Sequence, residues 1–191
     1  MNLKTTVLPA LALLVGIGIG WGISMQDSPE NHIPARTAAD YLHAVIEADR
    51  TFYTQHIVER MEAMLIVTAS EEWVQEKTLP LPVQFLREAS RSLDLREAPI
   101  RYRLIGSWPL NAGNKPVSNQ ERQMLDQVVK FGEVVESEVT INDRRYFQAI
   151  YPDRAVSRAC VSCHNTHADS PKRDFKLNDV MGGLVIEVPL E

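Results

Sequence analysis

The sequence predicts an α+β domain preceded by one N-terminal transmembrane helix, and three patterns carry that reading. Apolar residues recur at three-and-four spacing through residues 38–68, the period of one helix face. Two β-rich runs, 134–141 and 145–151, flank Asn142-Asp143-Arg144 and read as an antiparallel hairpin. Residues 5–25 are apolar and uncharged. At ~1.5 Å per helical residue such a run covers a hydrocarbon core of ~30 Å.

Taken in order, residues 1–27 form a membrane anchor or signal segment. Lys4 precedes the apolar run while Asp27 and Glu30 follow it, so the positive-inside rule leaves the N-terminus in the cytoplasm and everything after the run in the periplasm. A single-pass inner-membrane protein is expected; a cleaved signal is the alternative and delivers the domain to the same compartment. Gly16, Gly18, Gly20 and Gly22 place small residues along the span, which is the basis for considering a homodimer. Residues 28–37, with Pro29 and Pro34, read as a linker, and residues 38–191 as the folded domain.

The long helix carries Leu42, Val45, Ile46, Phe52, Tyr53, Ile57, Met64 and Leu65 on its apolar stripe, and His56 falls on the same stripe. Leu79-Pro80-Leu81-Pro82 ends the helical pattern, and Pro82 suits the first position of a second helix through Phe85, Leu86, Ala89 and Leu93. Residues 101–105 alternate as a strand that Gly106 and Trp108-Pro109 close. Ser118 with Glu121 is a capping box for a helix whose apolar face is Met124, Leu125, Val128, Val129 and Phe131. After the hairpin the chain reads as irregular up to a last strand over residues 183–188.

Inside that irregular stretch lies Cys160-Val161-Ser162-Cys163-His164. Two thiols three positions apart with a histidine directly behind them form the attachment signature of a c-type haem. One sulfur serves each vinyl edge of the porphyrin, and the next imidazole lies under the iron. Cys160 and Cys163 are therefore expected to bind one haem c covalently, with His164 as proximal iron ligand. A redox dithiol, a lone disulfide and a zinc site drawing on His167 also fit two cysteines, but none of them needs His164 where it stands. The 191 residues hold only these two cysteines, too few for a thiolate-rich zinc site. A net charge of −5 with scattered basic residues gives no footprint for a nucleic-acid partner.

The stretches Tyr53-Thr54-Gln55-His56-Ile57-Val58, Leu81-Pro82-Val83-Gln84-Phe85-Leu86-Arg87-Glu88 and Trp108-Pro109-Leu110-Asn111, together with residues 160–180, resemble the PAS-like c-type haem domain family. That family was first catalogued as a domain of unknown function. It occurs alone in exported bacterial proteins and as the sensor region of membrane-bound histidine kinases. The resemblance runs from about Tyr41 to the C-terminus and implies a PAS-like antiparallel sheet with flanking helices around one covalent haem. Some members ligate the distal side of the iron with a cysteine from the first long helix. This chain has no third cysteine, and the corresponding place lies near Asp49.

His56 is the first candidate for the distal ligand, Met181 the second and an open or water-filled position the third; Met61, Met64 and His43 also remain. Lys172 and Arg154 are candidates to pair with the haem propionates. The expected role is one-electron transfer with other periplasmic carriers. The alternative is a haem-based redox or gas sensor that signals through a separate partner, since no kinase, cyclase or DNA-binding segment is seen in the sequence. For an enzyme such as a peroxidase, no acid–base constellation stands out beyond His167.

Overall fold

The structure, a computed structural model, describes residues 32–190. The expected membrane helix over residues 5–25 lies outside the described residues, and among the described residues no helix is long and apolar enough to cross a membrane. The chain divides into Met1–His32 and Ile33–Glu191, and the second unit is the folded domain.

Helix α1 (Ala35–Phe52) continues through a π-helical stretch, Tyr53–Val58, into α2 (Glu59–Ala63), and Leu65, at φ 55°, ends the run. Each residue advances an α-helix by about 100°, and a π-helical turn holds an extra residue, so the inward face shifts along the chain. Ala39, Ile46, Arg50, Thr54 and Val58 are the buried positions. Val45, Phe52, Met64 and Leu65, expected on the buried stripe, are exposed. Two-residue strands β1 (Ala69–Ser70) and β2 (Leu79–Pro80) pair in parallel around α3 (Trp73–Glu76). Helix α4 (Pro82–Asp94) opens with Pro82 at its first position, where a missing N–H costs no helical bond, and the Gln84 side chain accepts the Leu81 N–H at 2.9 Å.

Strand β3 (Arg101–Gly106) leads through a short 3-10 turn, Ala112–Asn114, to α5 (Asn119–Phe131). The Ser118 hydroxyl accepts the Glu121 N–H at 3.1 Å, as the capping box requires. The buried Glu121 carboxylate reaches one residue further back than expected, to the Val117 N–H at 2.6 Å, and pairs with Arg103. Strands β4 (Val135–Ile141) and β5 (Arg144–Arg154) form the hairpin. Its turn is Asn142-Asp143 alone, at φ 50° and 62°, the two left-handed residues of a type I′ turn; Arg144 already belongs to the strand. The stretch read as irregular contains helix α6 (Arg158–Thr166), and β6 (Val180–Pro189) follows.

The four longer strands form one antiparallel sheet in the order β3-β6-β5-β4, with helices on both faces. Leu184, Ile186 and Val188 join Ala149 and Tyr151 beneath Ala39, Ile46 and Leu86 of the helices on one face. Val185, Ile150 and Ile105 face the other way, onto Met124, Leu125 and Val128 of α5. Strand β6 is thus buried on both sides. A Cβ at Gly182 would lie 2.1 Å from the Ile105 carbonyl oxygen and one at Gly183 2.4 Å from Ile150 Cγ2, so only glycine lets β6 enter between its neighbours. Opposite them the register slips between Asp153 and Arg154, an irregularity of the kind that re-aims side chains beside functional sites.

Candidate haem site

Helix α6 is built to hold the cysteine motif. Buried Ser157 caps it and accepts the Cys160 N–H at 3.3 Å. Within a helix the spacing of Cys160, Cys163 and His164 puts all three on one side. Behind them, Cys160 and Val161 pack on a small apolar cluster of Ala155, Phe175 and Met181, with Trp108 alongside. The Asn165 side chain closes a reciprocal pair with Phe175, donating to its carbonyl and accepting its N–H, both at 2.9 Å. This ties the loop after α6 to the helix. Phe175 then meets the His164 ring edge-on at 5.7 Å.

The thiols of Cys160 and Cys163 are free, and burial pushes the Cys163 thiol up from its ordinary pKa, with Glu71, Cys160 and Glu62 adding to the effect. Burial pulls the pKa of His164 down, against the opposing field of Asp153 and with His167 adding to the fall. The imidazole is therefore held neutral, the form that ligates iron. Its Nδ1 is buried without a hydrogen-bond partner.

All three side chains line one cleft of about 610 Å³, inside the ~300–1,000 Å³ range of small-molecule sites. Val58, Leu81, Leu104, Trp108 and Leu110 supply apolar wall, and Glu62, Glu71 and Glu72 line it from the acidic side. Among the described residues no three His, Cys, Asp or Glu side chains gather closely enough to hold a metal ion by themselves. Two thiols at thioether spacing, an unpartnered neutral imidazole and an apolar-walled cleft of this size fit a haem.

Sequence reasoning and structure part at the other candidates. Met181 does line the cleft, packed in the cluster that carries Cys160. His56 does not. It is exposed, with its ring 5.0 Å from Phe52, beside a shallow outer depression formed with Ala44, Glu47 and Ala48. The reason is helical phase: Thr54 and Val58 face inward, and His56 lies two residues, about 200°, from each. Asp49 is exposed too, and the residue that the helix turns inward there is Arg50. His43 stacks on Tyr151 at 4.0 Å, away from the cleft lining, while Met61 and Met64 are also missing from it.

Arg154 lines the cleft, but its guanidinium donates to the Gly132 and Asn178 carbonyls, each at 3.1 Å, locking β5 to the end of α5 and the start of β6. Lys172 is outside the lining; its ammonium pairs with Asp174 and lies 4.8 Å from the Phe175 ring centre and 5.4 Å from that of Trp108. His167 has Nε2 3.5 Å from Glu71. The residues that sequence reasoning missed are Arg50 and Asp153, joined at 2.5 Å in the cleft wall. Arg50 stands four residues after Ile46 and four before Thr54, a signal that a search for apolar residues passes over.

A sheet backed by helices on both faces, with the cysteine helix opening on a single cleft, defines the chain as a haem-binding domain. The Tll0287-like family model, Tll0287, matches residues 31–189, and the chain belongs to that family, the PAS-like c-type haem domain family that its sequence resembles. A search of curated proteins finds no match.

Proposed function

We propose that this protein is a membrane-anchored periplasmic cytochrome that carries a single haem c and passes one electron at a time to and from other carriers. Cys160 and Cys163 hold the porphyrin by two thioethers, and His164 gives Nε2 to the iron. One observation carries the reading: both thiols and a half-buried imidazole, its Nδ1 buried and unpartnered, line the same cleft from one helix. A bound haem supplies one-electron chemistry at a potential set by its axial ligands, its burial and nearby charge. The chain supplies the rest: α6 fixes the spacing of the three groups, the Phe175 cluster holds α6 in place, and Val58, Leu81, Leu104, Trp108 and Leu110 give the cleft an apolar wall.

Mass spectrometry of the exported protein, matured in cells that attach haem to cysteine, tests the attachment. The chain should carry the mass of one haem through acid-acetone extraction, and Cys160→Ala with Cys163→Ala should release it. A bare chain ends the proposal. Electron transfer is tested by stopped-flow mixing of the reduced protein with an oxidised soluble cytochrome.

A second reading, a haem-based redox or gas sensor that acts on a separate partner protein, draws support from the first helix. That element offers Arg50, Val58 and Glu62 to the cleft, and neither a histidine nor a methionine. Ready binding of carbon monoxide by the reduced protein favours this reading over electron transfer, and refusal favours the carrier.

A further inference from the structure

The first helix carries apolar side chains that its own domain leaves uncovered. Tyr41, Val45 and Phe52 are 63%, 60% and 60% exposed, and Ala44 and Ala48 between them are exposed as well. The core is met by a different side of α1, through Ala39, Ile46 and Arg50. At about 100° per residue, Tyr41, Val45, Ala48 and Phe52 fall within roughly 60° of one another, where a surface helix normally turns polar side chains to water. Their spacing of four, three and four is the alternation of a coiled-coil seam, with Val45 and Phe52 at a positions and Tyr41 and Ala48 at d positions. Ala44 and Thr51 flank the seam on one side and Asp49 on the other, so two such helices running parallel oppose no like charges across it. Ala44, Ala48, Thr51 and Phe52 also border a shallow depression, the kind of hole that a large side chain of a facing helix enters. The seam ends at Phe52, where the π-helical stretch Tyr53–Val58 shifts the phase.

We infer that this face of α1 is the interface between two copies of the chain, packed in parallel along Tyr41, Val45, Ala48 and Phe52. Such a seam is shorter than the ~3–4 heptads that mark a coiled coil by themselves, so it needs help to hold two chains together. The anchor gives that help, and the inference rests on the anchor proposed above. Only residues 26–34 separate α1 from the apolar run 5–25, so two anchored chains leave the membrane in the same direction, and the tether raises the local concentration of one stripe at the other. Charge argues against lipid as the cover. Asp40, Glu47 and Asp49 border the stripe, while Arg36 pairs with Glu136 and Arg50 is buried, so α1 offers no lysine or arginine beside the stripe to an anionic headgroup.

Cysteine cross-linking of the full chain tests this. Isolated membranes are treated with copper phenanthroline and opened to it from both sides, so that linking does not depend on where the domain lies, and the unmodified chain gives the background. Tyr41→Cys, Val45→Cys and Phe52→Cys should each yield a disulfide-linked pair of chains. Gln123→Cys, exposed on α5 across the sheet, should yield none. Adding Ala48→Glu to Val45→Cys should abolish the link, because two carboxylates then meet in the seam. No link at any of the three seam positions overturns the inference; reaction of those cysteines with a lipid-borne maleimide then identifies the bilayer as the cover. A link at Gln123→Cys as strong as those of the seam also overturns it, since collision in the membrane explains both. If Tyr41→Cys and Phe52→Cys link only when the two variants are mixed, the helices run antiparallel and the parallel seam is overturned, because those ends of the stripe lie roughly 16 Å apart. A chain absent from the membrane fraction fails at the earlier step, the anchor itself.

Discussion

The phase of one helix decides the fate of two histidines. His56 is on the apolar stripe when positions are counted along an ideal helix, yet it is exposed in the π-helical stretch, while His43 is partly buried against Tyr151 with the rings 8° from parallel. His56→Ala should therefore leave the haem spectrum unchanged and shift stability by no more than about 0.5 kcal/mol, as other surface substitutions do. A spectrum that turns high-spin would contradict this placement. His43 should instead be felt through pH. Burial lowers its pKa from 6.5, with Arg50 adding to the fall and Glu47 and Asp40 opposing it. The folded chain thus prefers neutral His43, whereas the unfolded chain takes up a proton near pH 6.5. Stability present above that pH falls as the pH drops through about 6.5 towards the lower folded value. Melting temperature against pH should show this fall, and His43→Phe should flatten it.

At the scale of elements, what the sequence made legible follows from local chemistry. Pro82, Ser118 with Glu121, and Asn142-Asp143 each satisfy a backbone need within a few residues, so the helix starts and the hairpin are readable at once. The cysteine helix was missed because Arg158–Thr166 is short, with a polar outer side, and what stabilises it is distant in sequence: the Phe175 pair with Asn165 and the strand behind Met181. The site shows the same split. Cys160, Cys163 and His164 are legible from spacing alone, whereas Arg50 and Asp153 meet across 102 intervening positions that no local pattern spans. Two substitutions measure these contributions by chemical denaturation. Ser118→Ala should cost about 1 kcal/mol, through the cap it removes from the Glu121 N–H. Gly182→Ala should cost more, roughly 3 kcal/mol or above, since its methyl would sit 2.1 Å from the Ile105 oxygen on a strand buried on both sides.

For the whole molecule, folding of the sheet and attachment of haem are separable steps. The domain has a central strand buried on both faces and a core that needs no haem atom to close it. The cleft draws its walls from α1, α2, β1, α4, β3, β5, α6 and the start of β6, and apart from the small cluster around Phe175 little packing supports the cysteine helix. Haem attachment should accordingly act late, stiffening α6 and the loop after it while the sheet is already formed. Hydrogen exchange on matched proteins, one matured with haem and one carrying Cys160→Ala and Cys163→Ala, should show protection gained over residues 156–180 and little change in β5 and β6 beyond the cleft. Equal gains throughout the sheet would mean that the fold itself depends on the haem. The compartment supplies the other half. If residues 5–25 span the membrane with Lys4 inside, alkaline phosphatase fused after Arg36 should be active, and exchanging the charges, with Lys4→Glu and with Asp27→Lys and Glu30→Lys, should reduce that activity. The same exchange should lower the share of chains that carry covalent haem, because cysteines kept in the cytoplasm never reach a periplasmic attachment system. Full haem loading in a chain whose fusion is inactive would overturn the proposed topology.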